Sequence, residues 1–302
     1  MASLLERVPF GGRVAIIRIR SLGDCVLTTP AIRLLKAHRP DIRLGVVVED
    51  RFAPVFEGNP DVNAILPVSI PDLALWKPVL CLNLHGGTQS IGMTVASRAD
   101  FRAGFDHHFW AATYNVRIPT AQEILGVDRK VHTAEHLASA MFYLGVPVAE
   151  IPRARLVPGG LVVRRPYAVI HPFASAPEKT WARERFAAVA RHIQDTYGLE
   201  PLILAGPEDD PSGWNGYEVL TQPLDEVKNL MSGAALFVGN DSGPAHMAAA
   251  FGVPVVALFG ASDPEIWAPW RTDGAALTHP EGMSGIRVED VIAAIDARKV
   301  DA

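Results

Sequence analysis

The densest chemistry in the chain lies in Gly239-Asn240-Asp241-Ser242-Gly243-Pro244-Ala245-His246. An apolar run, Phe237-Val238, enters a short polar turn, and a helix of small residues follows from Pro244. Proline suits the first helical turn, where its missing N–H costs nothing. Helix starts leave N–H groups unpaired at the positive end of a dipole, a natural seat for phosphate. The stretch therefore predicts a phosphorylated ligand at the C-terminal edge of a parallel sheet, with Asp241, Ser242 and Gly243 at the mouth. His246 reads as a buried, satisfied helix residue.

Three further stretches end apolar runs in reactive side chains. In Arg18-Ile19-Arg20-Ser21-Leu22-Gly23-Asp24-Cys25, Gly23 allows a tight turn or the close approach of a substrate. Asp24 is open to two readings there, a helix cap or an acid–base group. This is not the G-x-G-x-x-G pattern, which counts against a dinucleotide fold of that type. In His171-Pro172-Phe173-Ala174-Ser175-Ala176-Pro177-Glu178-Lys179-Thr180-Trp181, Lys179 can place a point charge on a phosphate and Ser175 can donate a hydrogen bond. Taken alone, Lys179 reads as a solvated surface lysine, and Trp181 as a packing anchor. After the run Pro201 to Ala205, Gly206-Pro207-Glu208-Asp209-Asp210 is either a polar turn or a carboxylate set for ribose hydroxyls.

His132-Thr133-Ala134-Glu135-His136 has the H-x-x-E-H spacing of some zinc peptidases. It leads directly into an ordinary packing face, Leu137 to Met141, and His107-His108 do not strengthen it. No metal site is expected.

Such side chains need a scaffold, and the alternation of the chain supplies one. Strands are expected at Val14 to Ile19, Leu44 to Val48 and Val79 to Leu84, the last closed by His85-Gly86-Gly87. Helices are expected at Thr29 to His38 and Thr133 to Leu144. Ile151 to Pro166 then brings prolines, two glycines and four arginines, which reads as an interdomain connection. Alternation resumes with strands at Tyr167 to His171, Pro201 to Ala205, Leu236 to Gly239 and Val255 to Phe259. Helices are expected at Arg183 to Tyr197, Leu224 to Ser232, Pro244 to Phe251 and about Val288 to Lys299. This order predicts an α/β protein of two doubly wound, Rossmann-like domains.

Bulk properties narrow the function. A length of 302 residues suits two domains, and 49% hydrophobic with 20% charged residues is an ordinary globular balance. A net charge of −5 argues against nucleic-acid binding by bulk electrostatics. Two cysteines, Cys25 and Cys81, are too few for a disulfide framework, so a reduced cytoplasm is the simplest home. No secretory signal or membrane span is read, and peripheral contact with the inner membrane stays open.

Together these stretches resemble glycosyltransferase family 9, the bacterial heptosyltransferases of lipopolysaccharide core assembly. The resemblance rests on R-I-R-S-L-G-D-C-V-L-T-T-P (Arg18 to Pro30), L-H-G-G (Leu84 to Gly87), K-T-W (Lys179 to Trp181) and G-N-D-S-G-P-A-H (Gly239 to His246). F-G-A-S-D-P-E-I-W (Phe259 to Trp267) supports it. It implies the GT-B architecture, two Rossmann-like domains facing across a cleft. Residues 1–155 would bind the acceptor and 156–302 the nucleotide-sugar, with the final helix crossing back to the first domain.

The resemblance further implies inverting, metal-independent transfer from an ADP-heptose-type donor, a substrate rather than a cofactor, to a saccharide or glycolipid acceptor. Asp24 matches the family's base. Ser175, Lys179, Asp241, Ser242 and Gly243 match donor positions, and the ribose-binding acid maps onto Asp209, with Glu208 one residue away. Arg20, Ser21, Gly23, His85 and Gly86 fall on the acceptor side. Two features depart from the family: Trp270 to Gly285 contains no cysteine, and the N-terminal half is short. A sugar-nucleotide epimerase or hydrolase, and a non-catalytic nucleotide-sugar-binding module, are the alternatives.

Overall fold

The computed structural model describes residues 3–160, 162–298 and 300. The chain divides between Val157 and Pro158 into two compact units. In the first unit the strands are β1 (Arg13–Ile17), β2 (Arg43–Val47), β3 (Ala64–Leu66), β4 (Leu80–Asn83), β5 (Phe101–Phe105) and β6 (Val116–Ile118). The helices are α1 (Leu4–Arg7), α2 (Leu22–His38), α3 (Ile70–Trp76), α4 (Thr88–Ala96), α5 (Ala121–Leu125) and α6 (Thr133–Leu144). The second unit has β7 (Tyr167–His171), β8 (Glu200–Ala205), β9 (Glu218–Thr221), β10 (Leu236–Asn240), β11 (Val255–Leu258) and β12 (Gly274–Leu277). Its helices are α7 (Arg183–Tyr197), α8 (Leu224–Ser232), α9 (Gly243–Phe251), α10 (Pro264–Trp267) and α11 (Val288–Asp296).

Each unit is built on a six-stranded parallel sheet, ordered β3-β2-β1-β4-β5-β6 in the first and β12-β11-β10-β7-β8-β9 in the second. Central strands read as continuous apolar runs because both faces are covered: β4, β7, β10 and β11 are buried at every residue. The strand order decides where a ligand can go. In the first sheet the chain winds outward from β1 through β2 to β3, then returns to lay β4 on the other side of β1. In the second, β7 and β10 stand in the same relation. Loops leaving two such strands diverge and open a crevice at the carboxyl edge. The crevice falls at β1/β4 in the first unit and at β7/β10 in the second.

Helix α2 starts at Leu22, seven residues before the expected start at Thr29. The cap at Ser21 and Asp24 begins it, and Pro30 does not interrupt it. Pro30 has no N–H for the Val26 carbonyl, and the Thr29 hydroxyl donates to that oxygen instead, at 2.8 Å. The connecting segment is docked rather than loose. Ile151, Ala154 and Leu156 are buried, and the Arg155 N–H donates to the Thr29 hydroxyl at 2.8 Å. Past the division, the Gly159 and Gly160 N–H groups both donate to Asn229 Oδ1. Helix α11, expected to cross back to the first domain, packs on α7 and β11 and buries Val291 and Ile295 in the second unit's core. Lys299, the expected end of that helix, lies outside the described residues.

Candidate functional site

At the carboxyl edge of β1, Asp24 occupies the third position of α2 and is held through both oxygens. Oδ2 accepts from the Ser21 hydroxyl at 3.0 Å and from the Ser21 N–H at 3.5 Å. Oδ1 lies 3.4 Å from Arg18 Nη1. The cap and the acid–base readings of Asp24 are thus compatible: capping fixes its position and partial exposure leaves it reachable. Gly23 belongs to the first turn of α2 rather than to the loop before it, so of its two readings the close approach of a substrate is the one left. Arg20 and Ser21 are exposed on the approach to the helix.

Arg18 read as the end of a strand, yet it is a buried guanidinium, 6% exposed. Burial lowers its pKa and Asp24 opposes that shift. Among the described residues its Nε has no hydrogen-bond partner, and neither does Nδ1 of His85. His85 and Gly86 follow β4, on the other side of the crevice. Asn83, fully buried, shapes this turn by accepting from the N–H groups of His85 (2.9 Å) and Gly86 (3.0 Å) on Oδ1. Gly86 adopts φ +79°, a region open to glycine at no cost. Burial, followed by the charge of Arg18, lowers the pKa of His85.

Beside this edge lies a histidine cluster absent from the sequence reading. Phe105 ends β5 and stacks on His136 of α6, with ring centroids 4.0 Å apart. His107 lies 5.4 Å from His136 and 5.1 Å from His108. Burial, then the neighbouring histidine and Arg18 charges, pull His108 and His136 down to about 4. Both rings therefore gain a proton in the unfolded chain at a higher pH than in the native one. Their contribution is fully present above pH 6.5, the ordinary value, and is lost as pH falls toward about 4. We expect the protein to lose ~1–2 kcal/mol per ring between neutral and weakly acidic pH, discounting for partial exposure. Melting curves across that range check it, and His136→Phe should flatten the dependence; an unchanged slope rules it out.

The second unit's crevice carries the phosphate-type features. Ser242 caps α9, and Gly243 and Pro244 form its first turn. Ser242 Oγ is buried and, among the described residues, without a partner. Asp241 is half-buried, and its carboxyl is pushed up by burial, against a hydrogen bond from Ser262 and the charge of Lys179. Lys179 Nζ lies 3.9 Å from Asp241 Oδ2, so it is drawn over the turn rather than solvated freely. Asn240, fully buried and unread in the sequence, clamps the Lys179 loop: Oδ1 accepts from the Trp181 N–H at 3.2 Å and Nδ2 donates to the Pro172 carbonyl at 2.8 Å.

Trp181 is the packing anchor expected, 1% exposed, with Nε1 donating to the Ile286 carbonyl at 2.9 Å. A Cβ at Gly260 would collide with the Glu178 carbonyl, which explains why the loop after β11 can lie against the Lys179 turn. Ser175 is exposed on the β7 loop. Asp209, half-buried, folds back so that Oδ2 accepts from the Gly206 N–H at 2.7 Å, while Glu208 is exposed. His171 and His246 are buried, and His171 Nδ1 lies 2.8 Å from the Leu204 carbonyl.

The H-x-x-E-H residues serve α6 itself. His132 Nδ1 accepts from the Ala134 N–H at 3.1 Å, and Glu135 accepts from the His132 N–H and pairs with Arg129. His136 faces the Phe105 ring. Among the described residues, no group of three or more His, Cys, Asp or Glu is placed to hold a metal ion. No described helix is long and apolar enough to cross a membrane.

The profile of glycosyltransferase family 9 (heptosyltransferase) matches residues 80–288. Lipopolysaccharide heptosyltransferase 3 of Escherichia coli is 29% identical over 301 residues, covering 84% of this chain and 85% of its own. Lipopolysaccharide heptosyltransferase 1 of Salmonella typhimurium is 23% identical, covering 89% and 95%. The family 9 glycosyl transferase structure from Veillonella parvula superposes with a TM-score of 0.82 at 22% identity, over 94% of this chain and 96% of that one. Escherichia coli ADP-heptose lps heptosyltransferase II gives 0.77 at 20% identity, over 94% and 98%.

Two doubly wound units, each with a switch point in its sheet, form the GT-B architecture. The chain belongs to glycosyltransferase family 9. It is an enzyme that transfers a sugar from a nucleotide-sugar donor, and the epimerase, hydrolase and binding-module readings are not favoured.

Proposed function

We propose that this enzyme moves heptose from ADP-heptose to a saccharide or glycolipid acceptor of lipopolysaccharide core synthesis, with inversion and without a metal. The relatives' names support the sugar and the pathway, since several are lipopolysaccharide heptosyltransferases. The observation that carries the chemistry is the contrast between the two switch points. The first unit offers a carboxylate fixed through both oxygens; the second offers a lysine, an unpartnered serine hydroxyl and a helix start.

In this reading the first unit binds the acceptor, and Asp24 takes the hydroxyl proton as oxygen attacks the anomeric carbon. Attack from the face opposite the leaving group inverts that carbon. Negative charge grows on the departing diphosphate. Lys179, Ser242 Oγ and the N–H groups at the start of α9 stabilise it from fixed positions, the task a metal performs elsewhere. Asp209 Oδ1 and Ser175 are the polar groups for the rest of the nucleotide. Such an enzyme works in the cytoplasm, with peripheral contact to the inner membrane when its acceptor carries lipid.

The decisive experiment incubates the protein with ADP-heptose, with and without a lipopolysaccharide-core acceptor, in excess EDTA. Acceptor-dependent ADP release and a mass gain of one heptose on the acceptor are expected. ADP release without acceptor would favour hydrolysis, and abolition by EDTA would overturn the metal-independent step. ADP and ADP-heptose should also raise the melting temperature, because a ligand bound only by the native state stabilises it.

A further inference from the structure

His108 is fixed by a buried chain of hydrogen bonds that runs from Asn83 through Tyr114. Asn83 Oδ1 accepts two backbone N–H groups, so its amide orientation is set and Nδ2 is the donor. One Nδ2 hydrogen goes to Ser90 Oγ at 3.1 Å, and the Ser90 hydroxyl donates onward to the Gly87 carbonyl at 2.7 Å. The other goes to the Tyr114 hydroxyl oxygen at 3.0 Å. The Tyr114 hydroxyl, 3.0 Å from His108 Nδ1, keeps a hydrogen that it can give to that nitrogen. An imidazole that accepts at Nδ1 carries its proton at Nε2.

The arrangement has required residues on either side. A Cβ at Gly104 would run into the Tyr114 ring, so glycine in β5 gives that ring its place. A Cβ at Gly86 would approach His108 Nε2 to 2.6 Å, so glycine there lets the turn and the Nε2 edge lie side by side. Among the described residues no acceptor is bonded to Nε2, although the ring is only partly exposed. Arg18 and His85 lie close enough to bear on its ionisation, as Arg18 and Asp24 do for His85. The free N–H thus lies on the β4 side of the first unit's crevice, next to the Gly86 turn.

We propose that His108 Nε2–H donates a hydrogen bond to an oxygen of the acceptor saccharide, making His108 a recognition residue and Tyr114 and Asn83 the residues that set its tautomer. A neutral donor suits a sugar oxygen, and an immobilised ring loses little entropy on binding. The inference rests on the transferase reading above, with the acceptor on the first unit.

The test joins 15N NMR of the histidine side chains to steady-state kinetics. Wild-type protein should show His108 in the Nε2–H form, and Tyr114→Phe should shift it toward a mixture. His108→Phe keeps the ring volume but not the donor. It should raise the acceptor KM about tenfold, the equivalent of one hydrogen bond, while donor KM and kcat stay within about twofold. His108→Gln, which restores an N–H donor, should recover much of that loss. An Nδ1–H tautomer in the wild type, or an unchanged acceptor KM in His108→Phe with normal melting, overturns the assignment. If His108→Phe does not fold, His108→Leu, which also removes the donor, is read in its place, and an unchanged acceptor KM there is equally fatal. Wild-type protein without acceptor-dependent turnover takes down the transferase reading, and this inference with it.

Discussion

Asp24→Asn is expected to bind donor normally and to lose about 10³-fold in turnover with both substrates saturating, within the range for a positioned general base. The amide nearly matches the carboxylate in shape and still offers an oxygen to Ser21, so α2 keeps its start. It cannot take a proton from the acceptor hydroxyl. The variant also carries a cost in stability. Arg18 is buried, and Asp24 is its carboxylate partner among the described residues. Removing that charge leaves a guanidinium without compensation, worth about 1–3 kcal/mol at this partly exposed pair. Activity and melting temperature should therefore fall together, but a stability loss alone cannot explain a thousandfold drop in protein that is folded at the assay temperature. Calorimetry with ADP separates the two effects. Turnover within about tenfold of wild type would show that Asp24 is a cap and not the base.

The fold was legible where one element covers a full period of pattern. Arg183–Tyr197, Leu224–Ser232 and Thr133–Leu144 fall at the boundaries read from the sequence, each with its apolar face and a glycine just beyond. Helix α2, expected from Thr29, starts seven residues earlier and runs through Pro30, where a threonine hydroxyl satisfies the carbonyl that proline leaves unpaired. The short strands β3, β5, β6, β9 and β12 were not read, since three to five residues seldom show an alternation. The loss of β5 had the larger consequence, because its end carries His107 and His108 to the edge where His85 stands. Asp24, His85, Lys179 and Ser242 drew notice because each lies just past an expected strand near a glycine or a turn, while their roles came from the family resemblance. Arg18, Asn83 and Asn240 did not, because their partners lie far along the chain or on the next turn. For Asn240 it is the strand order, with β10 beside β7, that brings it to Trp181 and Pro172.

Lys179→Ala should weaken ADP binding about tenfold and lower kcat by about 10², as charge grows on the diphosphate in the transition state. The two losses are distinct, because a residue that held the ground state alone would change only binding. Lys179→Arg should restore part of the affinity and little of the rate, since a planar fork cannot replace a point charge under the same Asn240-clamped loop. There is a coupled effect on Asp241. Burial already raises its carboxyl pKa, and Lys179, 3.9 Å away, works against that shift. Without the lysine the pKa rises further. A carboxyl whose native pKa lies above its unfolded value destabilises the fold once pH exceeds the unfolded value. Lys179→Ala should then melt earlier at neutral pH than at pH near 4, relative to wild type, and Asp241→Asn in the same chain should remove that difference. Calorimetric ADP affinity equal to wild type in Lys179→Ala would show that the lysine serves Asp241 and not the donor, and the helix start at Ser242 and Gly243 would have to hold the diphosphate unaided.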